Sequence, residues 1–167
     1  IGYKKQVVTK SYNDACIECA GIDILQTNFE NLKIFAKSNG LSTEFDYIED
    51  LQMLVFVHFV EPKLAQYPIC YIYDYPKQQA ALAQVEGEVA HRFELYLNGI
   101  EAGNGYQELQ KADDYHERFQ GELDKRQMLG KRKMQIDEHF LSDLSTPLPC
   151  CSGVAIGIDR LFSALSL

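Results

Sequence analysis

Residues 91–109, HRFELYLNGIEAGNGYQEL, limit the fold more than any other stretch of the chain. Apolar and polar residues alternate on both sides of Asn98-Gly99. That pattern predicts a two-residue hairpin, because a type I′ turn needs positive φ at both central positions and Asn and Gly accept it. With that turn, Leu97 faces Ile100 and Glu94 faces Gly103. Strict alternation then sets Arg92, Glu94 and Tyr96 on one face with Glu101, Gly103 and Gly105, and turns Phe93, Leu95 and Leu97 to the core. Glu94 and Glu101 become diagonal neighbours on an exposed face. Two carboxylates that close repel one another unless a cation or a shared proton joins them. Hard oxygen donors, few in number, suit Mg²⁺ that also holds substrate phosphates. Gly103 and Gly105 would leave a floor of bare backbone for a ligand. A plain solvated face is the commoner origin of paired glutamates. A retaining glycosidase also needs two close carboxyls, but the chain has no tryptophan and no second acidic strand to build a sugar cleft.

The remaining elements predict an α+β fold, an antiparallel sheet flanked by helices. Ser11 caps a short helix that Gly21 stops, with Asp14 as a weak capping-box partner. Phe29, Leu32 and Phe35 recur at helical spacing before Asn39-Gly40. Phe45, Ile48, Leu51 and Val55 repeat the pattern and run into an apolar end around His58, read as a satisfied core histidine. Beyond Pro62 and Pro68, Ile69–Tyr73 is a strand closed by Pro76. Ala80–Gln84 is a loop or helical turn. Asp113–Lys131 is a polar helix with Tyr115, Phe119 and Leu123 along one stripe, and its basic cluster Lys125, Arg126, Lys131, Arg132 and Lys133 reads as a solvated helix end. Apolar residues make up 46% of the 167, enough for one domain with a real core, and a net charge of −8 gives no field toward nucleic acid or an anionic membrane. The longest apolar run is too short to span a bilayer, and no signal peptide opens the chain. Five cysteines at irregular spacing fit a reducing, cytoplasmic setting, with Cys16, Cys19, Cys150 and Cys151 as packing residues rather than zinc ligands.

The stretch CSGVAIGIDRLFSAL, residues 151–165, joins a buried strand carrying Gly153 and Gly157 directly to Asp159-Arg160 at a helix start. Arginine there could hold phosphate through two parallel hydrogen bonds, although such a pair alone is more often a cap with a surface charge. The glycine spacing does not match a dinucleotide fingerprint.

Together the two stretches resemble a known family. GVAIGIDR is similar to motif 3 of class II aminoacyl-tRNA synthetases, and RFELYLNGIEAGNGYQEL is similar to the strand pair that precedes motif 3 in the lysyl branch. The aspartyl branch differs where this chain has Asn-Gly-Tyr-x-Glu-Leu. The resemblance is closer still to the lysyl-tRNA synthetase paralogues that attach β-lysine to a lysine of translation elongation factor P. It runs from Ser11 through Tyr75-Pro76, Gln79 and Ala80–Ala83 to Leu165.

The resemblance implies a class II synthetase catalytic domain over 1–167, partial, with motif 3 present and motifs 1 and 2 not found. It implies ATP and Mg²⁺, with Glu94 and Glu101 as the metal-holding acids and Arg160, beside Gly157, on the ATP phosphates. Asn104 and Glu108 match the residues that bind the amino acid, Glu108 through an amino group, with Gly105 beside them. Ala155 stands where lysyl-tRNA synthetases have glycine and the paralogues have alanine. A bulge or bend at Gly103–Gly105 is needed to bring Asn104 onto the Glu101 face. The implied reaction activates lysine or β-lysine as an adenylate and transfers it to elongation factor P, with no membrane involved and with the complete protein a homodimer. Charging of tRNA is the alternative acceptor, and a non-catalytic nucleotide- or protein-binding fragment is the alternative of another class.

Overall fold

The computed structural model describes residues 7–165. Its centre is a six-stranded sheet of order β1-β2-β4-β5-β6, with β3 paired to β4. The strands are β1 (Val7–Ser11), β2 (Ile69–Pro76), β3 (Val85–Glu86), β4 (Val89–Leu97), β5 (Ile100–Gln107) and β6 (Ser152–Ile156). The expected antiparallel sheet holds for every pair except one: β1 runs parallel to β2. Val7, Val8 and Thr9 are good strand formers, but a parallel partner lies a whole crossover away in sequence. Local pattern therefore gave no strand there.

That crossover is helical. Ser11 ends β1 and caps α1 (Tyr12–Ala20), accepting from the Asp14 N–H at 3.0 Å, and Gly21 closes the helix at φ 71°. Asn28 caps α2 (Phe29–Ser38) in the same way. α3 (Ile48–Val55) passes through a π-turn at Phe56–Val60 into α4 (Glu61–Leu64). Only one side of this segment meets the sheet, so Phe56 and Val60 are buried while Val57 and His58 face solvent. His58 is thus a surface residue and not the core histidine expected. The four helices and the π-turn pack Tyr12, Cys16, Leu32, Leu51, Val55, Phe56 and Leu64 with Cys70, Ile72 and Tyr96 of the sheet. Burial pushes the Cys16 thiol up to about 12, and the thiol packs in this core.

The opposite face of the sheet is covered by α7 (Ile158–Leu165), where Ala164 and Leu161 meet Leu97, Ala102 and Ile100. Between β5 and β6 lie α5 (Ala112–Met128) and α6 (Glu138–Asp143), which close on Tyr115, Phe119 and Phe140. Lys125, expected in a solvated basic cluster, instead pairs with Glu49 and lies over the Tyr47 ring, tying α5 to the start of α3.

Candidate active site

The site forms where β4 and β5 pass beneath the helices. Asn98 and Gly99 take φ 49° and 81°, as a type I′ turn requires, and a Cβ at Gly99 would sit 2.9 Å from Ala65 Cα. Leu97 faces Ile100 and Tyr96 faces Glu101, but beyond that the register slips by one, so Leu95 faces Gly103 and Glu94 faces Asn104. The extra residue is Ala102, which drops into the α7 core. A bulge is present as expected, one residue earlier than the Gly103–Gly105 stretch.

That slip changes the faces. Glu94, Tyr96, Glu101 and Asn104 now share one side, and Gly103 and Gly105 point to the other. A Cβ at Gly103 would meet Leu95 and Ile156, and one at Gly105 would lie 2.8 Å from the Phe93 ring and 2.5 Å from the Gly153 carbonyl oxygen. The glycines make room for strand packing, and the ligand floor expected of Gly103 and Gly105 is not there. The shared side is also the helix-covered side, since Cys70 and Ile72 stand opposite Tyr96 and Glu94 on β2. Glu94 is therefore buried, at 9% exposure, rather than on an open face.

A buried carboxylate needs donors, and Glu94 has three. Arg92 Nη2 donates to its Oε1 at 2.7 Å, Asn104 Nδ2 to the same oxygen at 3.2 Å, and the Tyr96 hydroxyl to its Oε2 at 2.7 Å. Arg92 also donates to the Gln79 carbonyl at 2.8 Å and stacks 4.6 Å from the Tyr75 ring centre. Gln79 in turn donates to Tyr12 and Gln52 in the helical core. Burial, with the negative charge of Glu94 beside it, holds the Tyr96 hydroxyl far above its ordinary range. Tyr96 stays a neutral donor. Glu61 at the start of α4 is a third acid, 3.4 Å from the Tyr96 hydroxyl, and its carboxyl is raised by burial and then by Glu94. The expectation from sequence did not include Glu61. Its only local mark is Pro62 behind it in a first helical turn.

Glu101 is the more accessible acid. Arg160 Nη1 donates to its Oε2 at 3.0 Å and to its carbonyl at 3.2 Å, with the arginine side chain 59% exposed. Gly157 sets this corner: its N–H donates to the Ala102 carbonyl at 2.9 Å, and the Arg160 stem lies against its Cα. Glu61, Glu94 and Glu101 share a cleft of about 350 Å³.

A second cavity of about 530 Å³ adjoins it. Asn104, Glu108, Gly153 and Ala155 line it, and Arg92 and Ala81 belong to both. Its strand, β6, was expected to be buried but lies at the sheet edge, with Val154 and Ile156 about half exposed. Asn104 faces Ala155 across β5 and β6. Buried polar atoms are nearly always paired, yet among the described residues Arg92 Nε and Asn104 Oδ1 have no hydrogen-bond partner. Both atoms are closed off from solvent; what suits the cavity to a small polar ligand is its lining by Arg92, Asn104 and Glu108.

The donor set also bears on metal binding. Among the described residues no three His, Cys, Asp or Glu side chains gather in a way that could hold an ion. Three donors already occupy most of the lone pairs of Glu94. Glu94 and Glu101 line one cleft, and an ion there would need phosphate oxygens to complete its shell, which is how Mg²⁺ is usually held. The two acids do not make an all-protein cage.

The family described as tRNA synthetases class II (D, K and N) matches residues 5–166. Curated relatives include the elongation factor P–(R)-β-lysine ligases of Vibrio atlanticus and Photobacterium profundum, each 40% identical over 157 residues, 90% of this chain and 49% of the relative. That of Proteus mirabilis is 40% identical over 90% of the chain and 48% of its own length. The chain thus spans about half the length of the curated relatives it matches. The mixed sheet and the 5–166 match agree: the chain belongs to the class II tRNA synthetase family of the D, K and N type.

Proposed function

We propose that this chain is the motif 3 half of a class II catalytic domain, in a cytoplasmic ATP-dependent ligase that activates lysine or β-lysine and transfers it to a lysine of elongation factor P. One observation carries the reading: an acid-lined cleft and a polar cavity meet at Arg92. A ligase of this kind must hold a nucleotide and an amino acid side by side, with the amino acid carboxylate against the α-phosphate.

In the reaction, a carboxylate oxygen of the amino acid attacks the α-phosphorus of ATP. The bond to the bridging oxygen breaks and pyrophosphate leaves, giving the aminoacyl-adenylate. An amine then attacks the acyl carbon and AMP departs, with the amine proton released. Glu108 and Asn104, which line the polar cavity, would orient the amino acid, Glu108 through an amino group. Ala155 would shape the wall beside them. Arg160 would turn from Glu101 to the phosphates, where its charge opposes the negative charge that builds in the transition state. Mg²⁺, when bound, neutralises phosphate charge, and Glu101 with Glu94 are the residues that would hold it. Arg92 holds the Glu94 carboxylate in place. The work is positioning and electrostatics.

Incubating the full-length protein with ATP, Mg²⁺ and labelled β-lysine, together with either elongation factor P or total tRNA, tests the reading. Label on elongation factor P that survives nuclease treatment supports it. Label on tRNA alone would make the protein a tRNA-charging enzyme, and label on neither would leave it a binding module.

A further inference from the structure

The carboxylate of Glu108 lies where a side chain on its neighbour strand would otherwise be. A Cβ built on Gly153 would fall 2.3 Å from Glu108 Oε1. Gly153 sits in the β6 strand, in register with Tyr106, and its backbone lies outside the left-handed region. Conformation therefore does not demand glycine here; the space over its Cα does.

The other oxygen has its own neighbour. The Tyr115 hydroxyl, from the first turn of α5, donates to Glu108 Oε2 at 3.4 Å. Tyr115 is 3% exposed and held by the Phe119 and Phe140 rings, the latter edge-on at 5.2 Å. The Glu108 backbone is fixed as well. Its N–H donates to the Cys151 carbonyl at 3.0 Å, and its carbonyl accepts from Gln84 Nε2 at 2.8 Å. Main chain, bare Cα and hydroxyl thus converge on one carboxylate at the wall of the 530 Å³ cavity.

We propose that Gly153 and Tyr115 form a seat that fixes the Glu108 carboxylate, and that both are positioning residues for the amine of the amino acid substrate. This rests on the reading that Glu108 binds that amine. Gly153→Ala displaces the far end of a flexible side chain, so the fold tolerates it and the carboxylate leaves its seat. Tyr115→Phe keeps the ring among its aromatic neighbours and removes only the hydroxyl. Burial, followed by the charge of Glu108, pushes that hydroxyl up to about 12, so it is a donor throughout the neutral range.

The test is calorimetric titration of the full-length protein with lysine and β-lysine, and separately with ATP, for wild type, Gly153→Ala, Tyr115→Phe and Glu108→Gln. Expected is a roughly ten- to hundredfold loss of amino acid affinity for Gly153→Ala, that of one hydrogen bond between charged groups. For Tyr115→Phe the expected loss is roughly two- to tenfold, that of one long hydrogen bond of ordinary strength. ATP affinity and melting temperature should stay at wild-type values, which a merely structural role would not predict. If Glu108→Gln weakens amino acid binding but the other two variants bind like wild type, the seat is refuted and the role of Glu108 stands. If Glu108→Gln itself binds like wild type, the reading beneath the proposal fails, and the seat with it. Should Gly153→Ala misfold, Tyr115→Phe decides alone.

Discussion

Glu94 is held by Arg92, Asn104 and Tyr96 under the helices, while Glu101 stands at the rim against Arg160. Removing the charge at these two positions should have different structural consequences. Glu94→Gln leaves the Arg92 guanidinium without a counter-charge at a site where the pair is 18% and 11% exposed. It should lower stability by about 1–3 kcal/mol. Glu101→Gln removes a partly exposed pair and should stay within about 1 kcal/mol of wild type. Both should weaken Mg²⁺-dependent ATP binding. Urea denaturation alongside nucleotide titration measures the two effects, and equal stability losses would show that Glu94 is not the buried anchor described. Ala155 poses a residue question of another kind. Its methyl lines the cavity opposite Asn104 at an exposed position, so its effect should fall at or below the lower end of the roughly 1–3 kcal/mol that one methyl discriminates in a tight pocket. In α-lysine the amino group is one carbon closer to the carboxylate than in β-lysine. Ala155→Gly should therefore raise kcat/KM for α-lysine relative to β-lysine in the full-length protein, and an unchanged ratio would reduce Ala155 to a packing residue.

Among the elements, those with local signals were legible in sequence. Ser11, Gly21 and Asn39-Gly40 mark helix ends, and Asn98-Gly99 marks the hairpin, because capping and turn geometry involve neighbours in the chain. Faces and partners were not legible, because they depend on distant contacts. The parallel β1–β2 pair spans the whole helical crossover. The Ala102 bulge is fixed by α7 packing on the sheet and by the Gly157 N–H bonding the Ala102 carbonyl. Alternation alone placed Glu94 opposite Gly103 on an open face. The bulge sets it opposite Asn104, and the long helical segment buries it. The resemblance had already grouped Glu94, Glu101, Asn104 and Glu108, whereas Glu61 and the Gly153 seat emerged only from packing. Deleting Ala102 would regularise the hairpin and leave Glu94 opposite Asn104, because the residue removed is the extra one. What is lost is the packing on α7 and the acceptor for the Gly157 N–H. The melting temperature should therefore fall while amino acid binding per folded molecule stays near wild type. A deletion variant as stable as wild type would show that Ala102 does not hold α7 to the sheet.

Taken as a whole, the molecule carries a sheet that ends at β6, which among the described residues is paired on one side only. Ile156, Ile158 and Leu165 lie nearby at 48%, 59% and 60% exposure. An open edge beside apolar side chains is an adhesive surface. The 167-residue chain by itself should self-associate as its concentration rises, and Ile156→Lys should suppress this without lowering its melting temperature. Light scattering across a dilution series tests this, and a wild-type chain that stays monomeric throughout would contradict it. No helix among the described residues is long and apolar enough to cross a membrane. Whether the acid cleft and the polar cavity serve one adenylate-forming reaction is read most plainly from ATP–pyrophosphate exchange in the full-length protein. Exchange should require Mg²⁺ and lysine or β-lysine together. It should fall by roughly a hundredfold or more in Arg160→Ala, which loses a preorganised charge at the phosphates. Exchange that ignores the amino acid, or that persists unchanged in Arg160→Ala, would mean that the two cavities do not work as one site.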